Sequence, residues 1–133
     1  MVIDEKLAGL ESRPVTVKIT EERVRRFCEA IGVTYDGTVP PTFVGTLLGG
    51  TFPGLELPLQ GVIHGAQDFT YHQPVNIGDT LSCTRRILKV FRREGKLGLM
   101  TFLVIETKGF DLAGELKFTS TSTIIIPQRG LEP

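Results

Sequence analysis

Two hydrophobic periods divide this chain of 133 residues. Val24, Phe27, Cys28 and Ile31 recur at helical spacing, so one apolar stripe runs over two turns. Thr20 stands before them as an N-cap, Glu21 and Glu22 sit where the helix dipole favours acids, and Gly32 supplies the stop. Arg23, Arg25, Arg26 and Glu29 occupy the other faces. Upstream, residues 15–20 (VTVKIT) alternate as a short strand or extended lead-in. Downstream, residues 33–41 read as loop, and Pro41 opens a second, apolar helix over PPTFVGTLLGG that Gly49-Gly50 closes. Residues 51–63, with Pro53 and Pro58, read as a loop that packs.

From His64 onward the period becomes two. HGAQDFTYHQPV alternates Phe69, Tyr71 and, beyond Pro74, Val75, and NIGD turns the chain at Gly78. Residues 80–92, 97–109 and 115–126 follow as long strands separated by the turn-forming REGK and DLAGE. The last alternates Leu116, Phe118, Ser120, Ser122, Ile124 and Ile126 on one face. A strand of about 12 residues spans roughly 40 Å, so such strands must twist around something. The two helices are the candidates to fill the inner side. The expectation is an α+β chain forming a single domain over residues 1–133.

Composition narrows the function. Fifteen basic and fifteen acidic residues cancel, which removes the electrostatic case for nucleic acid or an anionic membrane. The basic cluster FRREGK (residues 91–96) falls at a hairpin tip and reads as a solvated turn. Cys28 and Cys83 have no metal-type spacing and read as small buried hydrophobes in a reducing compartment. MVIDEKLAGL carries acids early and does not read as a signal peptide. LGLMTFLVI is far shorter than the about 20 residues that a helical span needs. The expectation is a soluble, cytoplasmic protein without metal or cofactor.

A helix ending AIG, a loop, PPTF, then HGAQDFTYHQPVNIGD opening an antiparallel meander resembles the MaoC-like hydratase/dehydratase family over about residues 5–126. The likeness is to its N-terminal-type half, also found as separate small subunits of 3-hydroxyacyl dehydratases. The resemblance implies a hotdog fold, in which a long antiparallel sheet wraps around a central helix. In HQPVNIGD, Gln73 replaces an arginine common in such segments.

Hydration of a trans-2-enoyl thioester needs a base for water, an acid for the α-carbon and donors for the enolate oxygen. In active relatives an Asp and a His in Gly-Asp-x-Asn-Pro-x-His move the protons. Aligned from Gly32, this chain has Val33 at the Asp position, Tyr35 at the Asn position, Asp36 at the Pro position and Thr38 at the His position. The connection to PPTF is also shorter than usual. The dyad is absent, and Asp36 and His64 are the remaining candidates for proton transfer. By resemblance, substrate contacts fall to Tyr35, Pro41, Thr42 and Phe43, with the N–H groups around Thr42 and Phe43 facing the thioester carbonyl at the helix start. The residues by themselves read otherwise: Pro40-Pro41 as the start of a core helix, Asp36 as a turn residue before Gly37, His64 as a hydrogen-bonded structural residue, and His72 as a turn residue. Asp68 and Asp79 have no evident partner.

Three functions remain open. The first is a subunit of an (R)-specific 3-hydroxyacyl-thioester dehydratase or enoyl hydratase, binding an acyl-CoA or acyl-carrier-protein thioester as a homodimer or as a heterodimer with a catalytic MaoC-like subunit. The second is a self-sufficient hotdog hydratase or thioesterase using Asp36 and His64. The third is a non-catalytic acyl-CoA-binding module.

Overall fold

The computed structural model describes residues 3–55, 61–96 and 98–127. After a 3-10 turn at Glu5–Leu7, the chain forms strand β1 (Val15–Lys18), helix α1 (Glu21–Ile31) and a 3-10 helix at Pro41–Thr46. Strands β2 (Ile63–Tyr71), β3 (Thr80–Gly95), β4 (Gly98–Phe110) and β5 (Leu116–Pro127) complete it. All five strands join one antiparallel sheet in the order β1-β3-β4-β5-β2.

Helix α1 forms as its sequence predicts. Thr20 Oγ1 accepts a hydrogen bond from the Arg23 N–H, and Gly32 ends the helix in the left-handed region at φ 76°. The strands run close to their expected bounds. The first stops at Lys18, and β2 ends at Tyr71, before the His72 and Gln73 N–H groups turn onto the Lys117 carbonyl. The expected start of the fourth strand at Leu97, and the expected loop between 56 and 60, lie outside the described residues.

The second helix differs. PPTFVGTLLGG forms only the six-residue 3-10 helix, and residues 47–50 leave it without regular structure. Gly45 and the β-branched Thr42, Val44 and Thr46 favour an α-helix weakly, and Thr46 Oγ1 donates instead to the Phe43 carbonyl. Gly49 and Gly50 do not stop a helix. A Cβ on Gly49 would fall 2.6 Å from Arg85 N, and one on Gly50 2.6 Å from the Arg13 carbonyl oxygen. They are glycines because backbone approaches backbone there. Arg85 then holds this segment, its Nε and Nη2 donating to the Gly50 carbonyl at 3.1 and 2.8 Å.

Strand register places both apolar clusters on the inner face. Leu81, Cys83 and Phe118 meet Val24 and Cys28 of α1 and Phe43, Val44 and Leu47 of the 3-10 segment. Further along the strands, Ile87, Val90, Leu103, Ile105 and Ile126 pack against Ile3, Leu7, Phe52 and Leu55. A bulge at Leu88 keeps the apolar residues of β3 inward across a one-residue slip, whereas the one at Gly65 sets His64 opposite Ile124 and leaves Ile63 exposed. A shift beside Gly109 stands Leu116 opposite Phe110, which takes it out of the alternation expected for the last strand. Between the clusters the inner face turns polar. Gln67 Nε2 donates to Ser120 Oγ at 2.6 Å, and Ser122 Oγ donates to Gln67 Oε1 at 2.5 Å.

Candidate functional site

A cleft of about 560 Å³ opens where the segment before the 3-10 helix faces the turn between β2 and β3. Thr38 to Pro41 and Val44 form one wall, and Tyr71 to Asn76 form the other. That volume lies in the roughly 300–1,000 Å³ range of small-molecule sites. Local chemistry builds each wall. Asp36 caps its own turn, accepting from the Thr38 N–H at 3.0 Å and from Thr38 Oγ1 at 2.5 Å, while Pro40 holds an extended φ of −60°. Opposite, Asp79 Oδ2 accepts from the Asn76 N–H at 2.8 Å and shapes the turn that closes at Gly78. Tyr71 joins the walls, its Oη donating to the Pro41 carbonyl at 2.8 Å.

The residues expected to touch substrate separate in space. Pro41 lines the cleft. Phe43 is buried in the core, edge-on to Phe27 at 5.5 Å between ring centroids. Thr42 is exposed, and Tyr35 lies under the guanidinium of Arg25, 4.4 Å from ring centroid to Cζ. The Phe43 N–H donates to the Pro40 carbonyl at 3.0 Å, so it is not free for a thioester oxygen. Of the two N–H groups expected to face the carbonyl, that of Phe43 is thus closed into the 3-10 turn.

The two proton-transfer candidates do not meet either. Thr38 holds the Asp36 carboxyl below its usual 3.8, which makes it a weaker base. His64 Nε2 lies 3.1 Å from Gln67 Oε1 on β2, and His72 Nε2 lies 3.0 Å from Thr119 Oγ1 beside the cleft. Among the described residues no imidazole is bonded to a carboxylate, and no three His, Cys, Asp or Glu side chains gather as metal ligands. Cys83 is buried and its thiol is pushed up to about 11 by desolvation, which removes it as a nucleophile near neutrality. Sequence reasoning missed the role of Tyr71 as a clasp and of Gln73 and Asn76 as lining. The signal lay in YHQPVNIGD, which was legible as sheet punctuation but not as the wall of a cleft.

Residues 6–120 match the family model "FAS1-like, dehydratase domain region". The chain belongs to that family. Among this dehydratase-region chain's relatives, a UPF0336 protein of Parafrankia sp. is 30% identical over 143 residues, covering 90% of this chain and 89% of its own. UPF0336 protein SCO4636 of Streptomyces coelicolor is 29% identical over 150 residues, covering 94% and 95%. The fold is that of MaoC-like hotdog hydratases. The C-terminally truncated HadBC (3R)-hydroxyacyl-ACP dehydratase complex of Mycobacterium tuberculosis superposes with a TM-score of 0.72 at 23% identity, over 90% of this chain and 96% of that one. The R-hydratase PhaJ1 of Pseudomonas aeruginosa gives 0.63 at 17%, over 90% and 81%. The ChsH1-ChsH2 complex of M. tuberculosis gives 0.70 at 15%, over 88% and 84%. No helix among the described residues is long and apolar enough to cross a membrane.

Proposed function

We propose that this chain is the structural, thioester-binding subunit of an (R)-specific 3-hydroxyacyl-thioester dehydratase or enoyl hydratase, and that a MaoC-like partner supplies the acid and base. One observation carries the reading. The cleft is built from the two segments that mark the family resemblance, yet its lining contains no carboxylate. Asp36, which stands in the loop where relatives keep their dyad, is spent on its own turn.

The sheet supports a partner. Among the described residues strand β2 is an edge, bonded only to β5, and carries exposed Ile63 and Tyr71 at its two ends. An edge of nine residues left unpaired is a template for another chain. Two of the similar folds, HadBC and ChsH1-ChsH2, are complexes of two different subunits. An Asp–His pair from a partner at this edge would convert a cleft able to hold a thioester into one able to add water across its double bond.

The test is reconstitution. The chain is co-expressed with a MaoC-like protein carrying Gly-Asp-x-Asn-Pro-x-His, and crotonyl-thioester hydration is followed by loss of enoyl absorbance. The expected result is a stable complex that is active where this chain alone is inactive. Turnover by the isolated chain, lost on His64→Ala, would establish the self-sufficient enzyme instead. Thioester binding without turnover in any pairing would leave a binding module.

A further inference from the structure

Helix α1 and both 3-10 segments pack on the inner face of the sheet, and among the described residues no element lies over the outer one. Strand register sorts the outward side chains into rows that cross β3, β4, β5 and β2. One row is wholly apolar: Phe91 pairs with Phe102, Phe102 with Ile125, and Ile125 with Ile63. Its two phenyl rings stack at 4.8 Å, yet the row is only half-buried and Ile63 is 39% exposed. A sheet face that meets water carries polar residues at such positions. An apolar row running across four strands marks a face that another surface covers.

The neighbouring rows decide what that surface is. The next row is Lys89, Val104, Thr123 and Ala66, and the one after it is Arg86, Glu106, Thr121 and Asp68. Arg86 and Asp68 are exposed and stand at opposite ends of their row, one on β3 and the other on the edge strand β2. A second copy turned by a two-fold axis parallel to the strands, between β4 and β5, keeps each row and reverses its order. Arg86 then faces Asp68 of the second copy, and the symmetry repeats that pair at the other end. Phe91 faces Ile63, and Phe102 faces Ile125. An axis lying along the apolar row would instead set Lys89 over Arg93, because Arg93 and Met100 form the row on its other side. That arrangement brings like charges together and is disfavoured.

We propose that the outer face is a self-complementary contact on which a second copy of this chain packs sheet to sheet, with the two-fold axis parallel to the strands. Aligned sheets pack about 10 Å apart and are turned by about 30°, a shift that the long Arg86 side chain spans. The contact is small. Four strands about 4.8 Å apart and four rows about 7 Å apart give about 500 Å² on each copy, short of the roughly 800 Å² of a standard interface. The dimer is therefore weak and concentration-dependent. It uses no backbone group of β2, so that edge stays free for the catalytic partner, and it does not depend on the thioester reading.

Sedimentation velocity of the purified full chain, from about 1 to about 300 μM, tests this. The expected result is a monomer–dimer equilibrium with Kd of about 10–100 μM. Arg86→Asp sets Asp over Asp at both ends and weakens the dimer about tenfold, and Asp68→Arg does the same with Arg over Arg. The double exchange Arg86→Asp/Asp68→Arg restores the wild-type constant within about threefold. Both positions are exposed, and an unchanged circular-dichroism spectrum checks the fold of each variant. A chain that stays monomeric throughout the range overturns the inference. So does a dimer that both single exchanges leave intact, which places association on the β2 edge or elsewhere, or one that the double exchange fails to restore. Loss of the MaoC-like partner on the single exchanges would give this face to that partner and overturn the inference as well.

Discussion

Tyr71 Oη donates to the carbonyl oxygen of Pro41 at 2.8 Å, a bond between residues 30 apart that clasps the edge strand to the 3-10 segment. The ring of Phe69, two residues earlier, packs beneath the same segment, 3.2 Å from where a Cβ on Gly45 would stand. Tyr71→Phe removes the clasp and keeps the ring. Because the bond is exposed, the expected loss of stability is small, about 0.5 kcal/mol. The expected loss of thioester affinity is larger than the stability change, since the two walls are then free to part. Urea midpoints and calorimetry compare the two.

Gln67 holds two hydroxyls on the inner face. Ser120 is buried and receives its amide, and Ser122 donates to its carbonyl oxygen. Gln67→Leu leaves both without that partner in a partly buried setting, with an expected cost of about 1–3 kcal/mol. A lowered urea midpoint at unchanged m-value is the readout. Adding Ser120→Ala and Ser122→Ala to the same chain recovers part of the loss.

Gly109 is a glycine for space. A Cβ there would collide with the ring of the fully buried Phe118. Gly109→Ala is expected to cost about 1–3 kcal/mol through overpacking. Phe118→Leu in the same chain makes room and reduces the penalty, which a double-mutant cycle measures.

The carboxyl of Asp36 is held below 3.8 by the Thr38 hydroxyl and N–H. A lowered pKa means that its contribution to stability is present above the ordinary carboxylate value and fades as pH falls through the lowered one. Thr38→Val returns the titration toward 3.8, observable by NMR of the side-chain carboxyl. Asp36→Asn, which keeps an acceptor for the Thr38 N–H and hydroxyl but has no acid–base carboxyl, leaves hydration by the reconstituted pair unchanged. A drop of more than about tenfold would restore Asp36 as a catalytic residue.

Cys83 is fully buried and its thiol is raised from 9.0 to about 11. The folded state disfavours the thiolate, so stability is retained below pH 9 and declines as the pH rises from 9 toward 11. Iodoacetamide at neutral pH labels neither Cys83 nor the buried Cys28 until denaturant unfolds the chain. Labelling of native Cys83 within minutes contradicts this.

Much of the fold is local information, which is why it was legible. Thr20 and Gly32 bracket α1 because caps act within one turn, and the strand alternation survives because each residue's face depends on its immediate neighbours. AIG, PPTF and HGAQDFTYHQPVNIGD, in that order, placed the chain among hotdog hydratases. Val33 and Thr38, which the resemblance aligns with the expected Asp and His, were readable without coordinates.

Tertiary contacts decided the rest. The second helix was misread because Gly49 and Gly50 serve the close approach of Arg85 and Arg13, residues 36 and 37 positions away from them. The same packing sinks Phe43 into the core and commits its N–H to Pro40, which withdraws that N–H from the expected carbonyl seat. The opposing cleft arises only when Tyr71 brings its turn against Pro41. The sequence by itself determined most of the elements and their family, because those depend on neighbouring residues and on pattern. Which polar groups are spent on the fold was decided only by tertiary structure, because a hydrogen bond between distant residues depends on where both are held.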